Sequence, residues 1–93
     1  MLRIHALLLL AFLAAAPAFA IEPVTLQLKW RNAFQFAGYY TALWKGYYRD
    51  AGFDVTIREA EPGQSVVDEV VAGRAQFGVG TSSLLLAWHG GKP

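Results

Sequence analysis

Apolar and polar residues alternate along two segments of the chain, as they do in half-buried strands. Over residues 24–30 the apolar side chains, ending with Trp30, fall on one face, and Gln27 lies among the polar residues of the other face. Residues 53–59 alternate in the same way, and a short glycine-containing apolar run at 76–80 is typical of a buried strand. The pattern therefore predicts three strands.

Helical spacing fills the segment between the first two predicted strands. Ala37, Tyr40, Trp44 and Tyr47 recur at steps of three and four residues, which predicts a helix over 36–50. Because an aromatic stripe at this spacing usually faces the protein interior, we assign Tyr40, Trp44 and Tyr47 to the core.

Signals for helix starts precede two further segments. Ser65 has Asp68 three residues later, which is close to a capping box, and an apolar valine face follows until Gly73. Thr81 and the serine after it can cap a third helix over 82–89. The predicted order of elements is therefore βαβαβα.

One helix separates each pair of consecutive strands in this order. Parallel strands need such crossovers, so the predicted class is α/β with a parallel sheet. The last residues, 91–93, fall in a loop where a further strand is expected. We therefore expect this segment to be the N-terminal part of a longer, truncated domain.

The first twenty residues have the features of a signal peptide. Arg3 supplies a positive charge, residues 7–16 are apolar, and residues 18–20 form a small-x-small cleavage site. The apolar stretch is shorter than the roughly 20 residues that a membrane-spanning helix needs. We expect cleavage after residue 20, a mature domain over 21–93 without a membrane span, and a periplasmic location.

Charge and composition exclude several functions. Without Arg3, the eight Lys and Arg residues become seven, against seven Asp and Glu, and they form no basic stripe, which argues against a nucleic-acid partner. The absence of Cys excludes disulfides, thiol catalysis and Cys-based zinc sites. The two histidines, His5 and His89, are too few for a His-rich metal site. We expect no cofactor.

Ligands of open parallel sheets bind outside the carboxyl ends of the strands. Two loops, 30–36 and 80–83, leave predicted strand ends on that side and lead into helices. In the second loop Gly80 lets a ligand approach the backbone closely, while Thr81 and Ser82 offer hydroxyl donors and acceptors. The same residues can instead be ordinary helix caps, and both interpretations stay open.

Aromatic residues gather around the first predicted strand end. Trp30 and Tyr39 are candidates for stacking on a flat ligand, with Gln35 as a hydrogen-bonding partner in the same loop. The alternative is that these rings belong to the core. No Ser-His-Asp set, converging carboxylate pair or Cys nucleophile is evident in the sequence. The residues therefore indicate binding rather than catalysis.

Several spaced motifs resemble those of one protein family. The resemblance is to the NMT1/THI5-like (SsuA/THI5) family, whose members have the two-lobed periplasmic-binding-protein type II fold. It implies that the present segment supplies part of lobe one. The motifs that carry the resemblance are Leu26–Trp30, Phe36–Tyr40, Lys45–Tyr48, Ala51–Val55 and Gly73–Gly80.

The resemblance implies a small planar polar ligand, such as a thiamine pyrimidine precursor, that an exported binding protein delivers to an ABC-transporter permease. Some relatives are instead extracytoplasmic sensors attached to a downstream signalling domain such as a histidine kinase. The family also contains thiamine pyrimidine synthase, which holds pyridoxal phosphate on a lysine and consumes its own histidine. Gly80 and Leu84 stand at those two positions here, which argues against the enzyme.

Overall fold

A computed structural model of the chain describes residues 20–93. Apart from Ala20, the predicted signal peptide lies outside the described residues, and its cleavage stays a prediction. The described part is a three-stranded parallel sheet with helices between the strands. This confirms the predicted α/β class and agrees with a segment of one lobe of a two-lobed fold.

Helices and strands alternate along the described chain as the sequence predicts. The strands are β1 (Glu22–Gln27), β2 (Phe53–Arg58) and β3 (Phe77–Gly78), and the helices are α1 (Ala37–Trp44), α2 (Tyr47–Asp50), α3 (Val66–Val71) and α4 (Ser83–His89), with a 3-10 turn at Phe34–Phe36 before α1.

The first strand occupies the centre of the sheet, whose strand order is β2-β1-β3. Both neighbours run parallel to β1, and Gln27 lies opposite Arg58 on one side and Gly78 on the other. A central strand of a parallel sheet is screened from water on both faces by the crossover helices. The end of β1 is accordingly the most deeply buried part of the described chain: Gln27 and the adjoining Leu28 have no exposed surface.

The core is small and lies around this strand. Its buried apolar residues are Val24 and Leu28 from β1 and its end, Phe36 from the 3-10 turn, and Ala60 and Ala75 from loops beside the sheet. Phe36 is the largest side chain with almost no exposed surface. The 3-10 turn therefore fixes the start of α1 against the sheet.

The first strand differs from its prediction at the carboxyl end. The strand stops at Gln27, the chain bends over residues 29–32, and 66% of the surface of Trp30 is exposed. Gln27, which the alternation puts among the polar residues of the second face, is completely buried. Period-two alternation assumes one solvated face, whereas β1 is covered on both.

The predicted helix over 36–50 is two helices separated by Lys45 and Gly46. Gly46 adopts φ +75°, a left-handed conformation that glycine accepts without strain and that cannot continue a right-handed helix. The chain therefore changes direction between α1 and α2, although the side-chain periodicity runs on through the break.

The third strand is shorter than the predicted 76–80, and it is exposed rather than buried. Its hydrogen bonds to β1 nevertheless reach one residue past each end. The N–H of Gln76 donates to the carbonyl of Thr25 at 3.1 Å, and the N–H of Val79 donates to that of Gln27 at 2.9 Å. Because β3 is one of the two edge strands of the described sheet, Phe77 keeps an open face.

The assignment of the aromatic stripe to the core is wrong for two of its three residues. Trp44 has 78% of its surface exposed, and Tyr47 is exposed as well, because no described element packs over this side of α1 and α2. Tyr40 is half-buried, with its ring 5.5 Å from that of Trp44 and its hydroxyl donating to Asn32. Within residues 20–93, no helix has the length and apolar character needed to cross a membrane.

The predicted cap of the second crossover helix is confirmed. Ser65 is the N-cap of α3, and its Oγ accepts a hydrogen bond from the N–H of Asp68 at 3.2 Å. The cap predicted for the third helix differs in part, because Ser82 takes the N-cap position of α4 without a side-chain bond, while the N–H of Ser83 donates to Thr81 Oγ1 at 3.3 Å.

Replacing Ser65 with alanine is expected to lower the free energy of unfolding by about 1 kcal/mol, since the first turn of α3 loses its only side-chain acceptor. Urea denaturation of the full chain would measure the change. Ser82→Ala is the matched control, because that N-cap serine makes no cap bond, and its expected change is within about 0.5 kcal/mol. Equal losses in the two variants would contradict the assigned role of Ser65.

Candidate functional site

The carboxyl ends of β1 and β3 lie side by side, because the two strands are parallel neighbours with Gln27 opposite Gly78. The chain after β1 continues through Lys29 and Trp30, and the chain after β3 continues through Gly80 to Thr81. The end of β2 joins the same edge, since the N–H of Ala60 donates to the carbonyl of Trp30 at 3.2 Å. The three strand ends thus form one continuous edge, as the parallel topology predicts.

A cavity of about 310 Å³ at this edge lies between the chain after β1 and the turn after β2. Trp30 lines it and remains two-thirds exposed, so its ring face is open to a ligand. The lining residues are Lys29, Trp30, Arg31, Ala60, Glu61, Pro62, Gly63 and Gln64. An exposed indole beside a turn is a surface on which a flat ligand can stack.

A second cavity, of about 230 Å³, adjoins the first and lies between the chain after β1 and the loop after β3. Lys29 and Gln64 line both cavities and therefore stand where they meet. The remaining lining residues are Ser65, Val66, Val67, Val79, Gly80, Thr81, Ser83 and Leu84. Its polar part consists of one cation, three hydroxyls and one amide.

The predicted site residues are only partly brought together. Trp30 lines the first edge cavity, and Gly80 and Thr81 line the second, while Ser82 lies between Thr81 and a Ser83 that does line it. Gln35 is exposed on the 3-10 turn and lines neither of the two edge cavities.

Tyr39 lies elsewhere, in an apolar cavity of about 490 Å³ over the face of the sheet. Its neighbours there include Val24, Phe53 and Tyr48. Burial, with a smaller contribution from Tyr39, raises the pKa of the Tyr48 hydroxyl above its ordinary value. The structure therefore does not place Tyr39 beside Trp30, because α1 directs that ring toward the sheet rather than toward the carboxyl edge.

A buried glutamine holds the carboxyl edge together. The Nε2 of Gln27 donates to the carbonyls of Leu28, Arg58 and Glu59 at 3.0, 3.3 and 3.2 Å, and its Oε1 accepts from Arg58 Nε at 2.6 Å. One side chain thus ties the ends of β1 and β2 directly beneath Lys29 and Trp30. The sequence analysis did not identify Gln27 as a residue that joins the strand ends. The signal present in the sequence was a polar residue at the end of the central strand.

The arginine bonded to Gln27 continues into an ion-pair cluster. Glu69 of α3 pairs with Arg58 at 3.2 Å and with Arg74 at 2.9 Å, and its side chain is only 12% exposed. The hydrogen bond from Arg74 lowers the pKa of Glu69 below its ordinary value, with help from Gln64 and from the charge of Arg58. The pKa of Glu69 is lower in the folded than in the unfolded state, so the ionised carboxylate stabilises the fold at neutral pH. This stabilisation is lost as the pH falls through the range in which the carboxyl group takes up a proton.

Comparison of the sequence with known protein families identifies the family of this chain. Residues 33–93, well over half of the chain, match the family model described as NMT1/THI5 like. The chain belongs to the NMT1/THI5-like family. No curated protein and no solved structure gives a match. The matched range contains the loop after β3 and the turn after β2, and it begins just after Trp30, so that β1 lies outside it.

By the resemblance described above, Gly80 and Leu84 stand where the family's thiamine pyrimidine synthase has its lysine and histidine. The structure brings these two positions into contact, because a Cβ added at Gly80 would clash with the side chain of Leu84. The leucine side chain therefore occupies the space beside Gly80. These residues do not fit a pyridoxal phosphate site of that type, since neither supplies an amine or an imidazole.

Metal ligation has no obvious place in the part of the chain that the structure describes. There, His, Asp and Glu side chains do not gather in any group of three or more that could hold an ion. Of the acidic residues near the edge cavities, Asp68 and Glu69 are engaged in ion pairs, while Glu61 lines the first cavity. The chemistry that this NMT1/THI5-like segment offers at its carboxyl edge is therefore an exposed indole, the charged side chains of Lys29, Arg31 and Glu61, and a set of hydroxyls.

Proposed function

We propose that this NMT1/THI5-like domain binds a small planar polar solute at the carboxyl edge of its sheet. The protein would act as the periplasmic substrate-binding component of an ABC transporter, exported by its N-terminal signal peptide. A thiamine pyrimidine precursor has the required chemistry: a flat heteroaromatic ring with polar edge groups. This segment would supply part of one lobe, and the permease would recognise the closed, ligand-bound form.

The observation that carries the proposal is the position of Trp30. Its indole lies after the end of β1, beside the end of β2, and lines the 310 Å³ cavity with most of its surface open. An indole that stays open beside a concave site offers a ring face on which a flat ligand can stack. A flat ligand ring stacked on the indole would cover it, and the polar groups of that ring would face the neighbouring cavity.

The proposal assigns no catalytic step to this segment. The branch of the family that makes the thiamine pyrimidine needs side chains that Gly80 and Leu84 do not provide. Incubation of the full chain with pyridoxal phosphate discriminates the two functions. A new visible absorption band that disappears on borohydride treatment, as expected for a lysine aldimine, would favour the enzyme, and its absence is expected.

Replacing Trp30 with alanine in the full chain is expected to weaken binding of a thiamine pyrimidine precursor about tenfold. Stacking contributes about 0.5–1.5 kcal/mol beyond simple burial, and a tenfold change in the dissociation constant corresponds to about 1.4 kcal/mol. Isothermal titration calorimetry would measure the dissociation constants, and thermal melting of the ligand-free forms would report stability.

Trp44→Ala is the matched control for that experiment. Trp44 is as exposed as Trp30 but lies on α1 and lines neither edge cavity. Its replacement is expected to leave the dissociation constant within about twofold and stability within about 0.5 kcal/mol. If Trp30→Ala bound the solute like the wild type, or if both variants lost affinity equally, the stacking site at Trp30 would be excluded.

A further inference from the structure

One face of α1 borders a concave surface that the proposed function does not use. Ala37, Tyr40, Thr41 and Trp44 follow one another along this face and line a cavity of about 390 Å³, here called the α1 groove. The volume lies within the roughly 300–1,000 Å³ that small-molecule pockets have. In the described part of the chain, the α1 groove shares no lining residue with the two cavities of the carboxyl edge.

Two aromatic rings supply the apolar part of the α1 groove. The ring centroids of Tyr40 and Trp44 are 5.5 Å apart, and the two ring planes are inclined by 37°. Trp44 keeps 78% of its surface exposed, whereas Tyr40 is half-buried. Because the planes are inclined, a flat ligand can lie on only one of them. A puckered ring with C–H bonds on its faces can contact both, since the negative face of an aromatic ring attracts positively polarised hydrogens.

Asn32 lines the α1 groove from the bend after β1 and is held in place by two contacts. Its backbone N–H donates to the carboxylate of Glu59, and its Oδ1 accepts from the hydroxyl of Tyr40. A carboxamide whose oxygen is engaged in this way has the two N–H donors of its nitrogen left to give. Asn32 therefore brings oriented hydrogen-bond donors to the groove.

The hydroxyls that line the same groove have the opposite character. Thr41 Oγ1 donates its proton to the carbonyl of Ala37 at 2.8 Å, and the hydroxyl of Tyr40 donates its proton to Asn32. Because a hydroxyl has one proton, both oxygens keep only lone pairs and act as acceptors. The α1 groove thus offers donors and acceptors together, and a ligand hydroxyl, which both donates and accepts, matches this combination.

The lining of the α1 groove is electrically neutral. Among the described residues, the groove is lined by two aromatic rings, one amide, one aliphatic hydroxyl and two alanines, without a cation or a carboxylate. A charged ligand would give up hydration in this groove without gaining an opposite charge, which is unfavourable. The lining therefore suits an uncharged ligand.

We propose that the α1 groove is a binding site for a neutral ring sugar, whose C–H face stacks on Trp44 and Tyr40 and whose hydroxyls bind Asn32 and Thr41. The inclined rings, the combination of donors and acceptors, and the neutral lining together select this class of ligand. The site goes beyond the proposed function and does not depend on it, because it lies apart from the cavity that Trp30 lines.

The test is an NMR titration of the ¹⁵N-labelled mature full chain with methyl α-D-glucopyranoside. The indole N–H signals of the three tryptophans, Trp30, Trp44 and Trp88, report on separate places in the chain. A saturable shift is expected at the Trp44 indole and at the amides of Asn32 and Thr41, with a dissociation constant on the order of 1 mM. Trp44→Ala, followed at the two amides, is expected to weaken binding about tenfold through the loss of stacking.

Trp30→Ala is the matched control, because it removes an exposed indole from the carboxyl edge, outside the α1 groove. It is expected to bind the glucoside like the wild type. Thr41→Val keeps the shape of the side chain and removes the acceptor oxygen, and it is expected to weaken binding about fivefold, as for the loss of one hydrogen bond.

Charged sugars with the same ring test the neutrality of the site. Glucosamine and glucuronate are expected to bind no more tightly than the glucoside, and tighter binding of either would overturn the proposal. So would shifts that do not saturate, or equal weakening by Trp44→Ala and Trp30→Ala. A Trp44 indole that responds to a planar thiamine pyrimidine precursor but not to the glucoside would replace the sugar by a flat ligand and would likewise overturn the site.

Discussion

Replacing Phe36 with alanine is expected to lower the free energy of unfolding by about 3–5 kcal/mol. Phe36 has 1% of its surface exposed and is the largest fully buried side chain of the described residues. It lies in the 3-10 turn that enters α1, with its ring 6.5 Å from that of Tyr39. Removing the ring would leave a cavity between this turn and the sheet, which so small a core cannot fill by rearrangement.

Phe34→Ala provides the control, because the same ring two residues earlier in the same turn is 94% exposed. Its expected effect is within about 0.5 kcal/mol. Urea denaturation of both variants in the full chain would measure the two free energies. A loss below about 1 kcal/mol for Phe36→Ala would show that the ring is not a core element, since removing a buried phenylalanine ring costs about 3–5 kcal/mol.

The arrangement of the elements was predictable from sequence because it depends on local signals. Period-two alternation located β1 and β2, and Ser65 with Asp68 located the start of α3. The order of strands and crossovers then implied a parallel sheet, and the parallel sheet implied that the loops after β1 and β3 share an edge. Each of these steps uses spacing along the chain alone, and the structure agrees with each.

The burial of individual aromatic residues was not predictable in the same way. The segment Ala37–Trp44 contains apolar side chains all round the helix, including Tyr39, Tyr40 and Leu43, so periodicity does not distinguish the face that packs from the face that does not. The structure buries Phe36 and leaves Trp44 open. Which ring is covered depends on how α1 approaches the sheet, and the periodicity of the helix does not specify that approach.

The residues of the candidate site also differ in how far the sequence predicts their positions. Trp30, Gly80 and Thr81 lie at the carboxyl edge because strand topology carries them there. Lys29 went unrecognised as a site residue, because the sequence does not show that the chain after β1 borders both the turn after β2 and the loop after β3. The position of Tyr39 depends on the orientation of α1 rather than on the order of the strands, and its ring faces the sheet.

Replacing Gln27 with leucine is expected to lower the free energy of unfolding by about 1–3 kcal/mol, although leucine fills similar space and is less costly to bury. The reason is the set of groups that Gln27 satisfies. Arg58 Nε would lose its acceptor at 2.6 Å, and the carbonyls of Leu28 and Glu59 would lose their side-chain donor in a buried setting. A buried polar group left without a partner costs about that amount.

The same substitution should loosen the carboxyl edge more than the rest of the sheet. Amide hydrogen exchange is expected to accelerate at Ala60, whose N–H bonds to the carbonyl of Trp30, and to change less at Val24 near the amino end of β1. Gln35→Leu, at an exposed glutamine on the 3-10 turn, is the control and should shift stability by less than about 0.5 kcal/mol. If Gln27→Leu were as stable as the wild type, the hydrogen bonds of Gln27 would be replaceable by water, and the glutamine would not be what holds the ends of β1 and β2 beneath the two cavities.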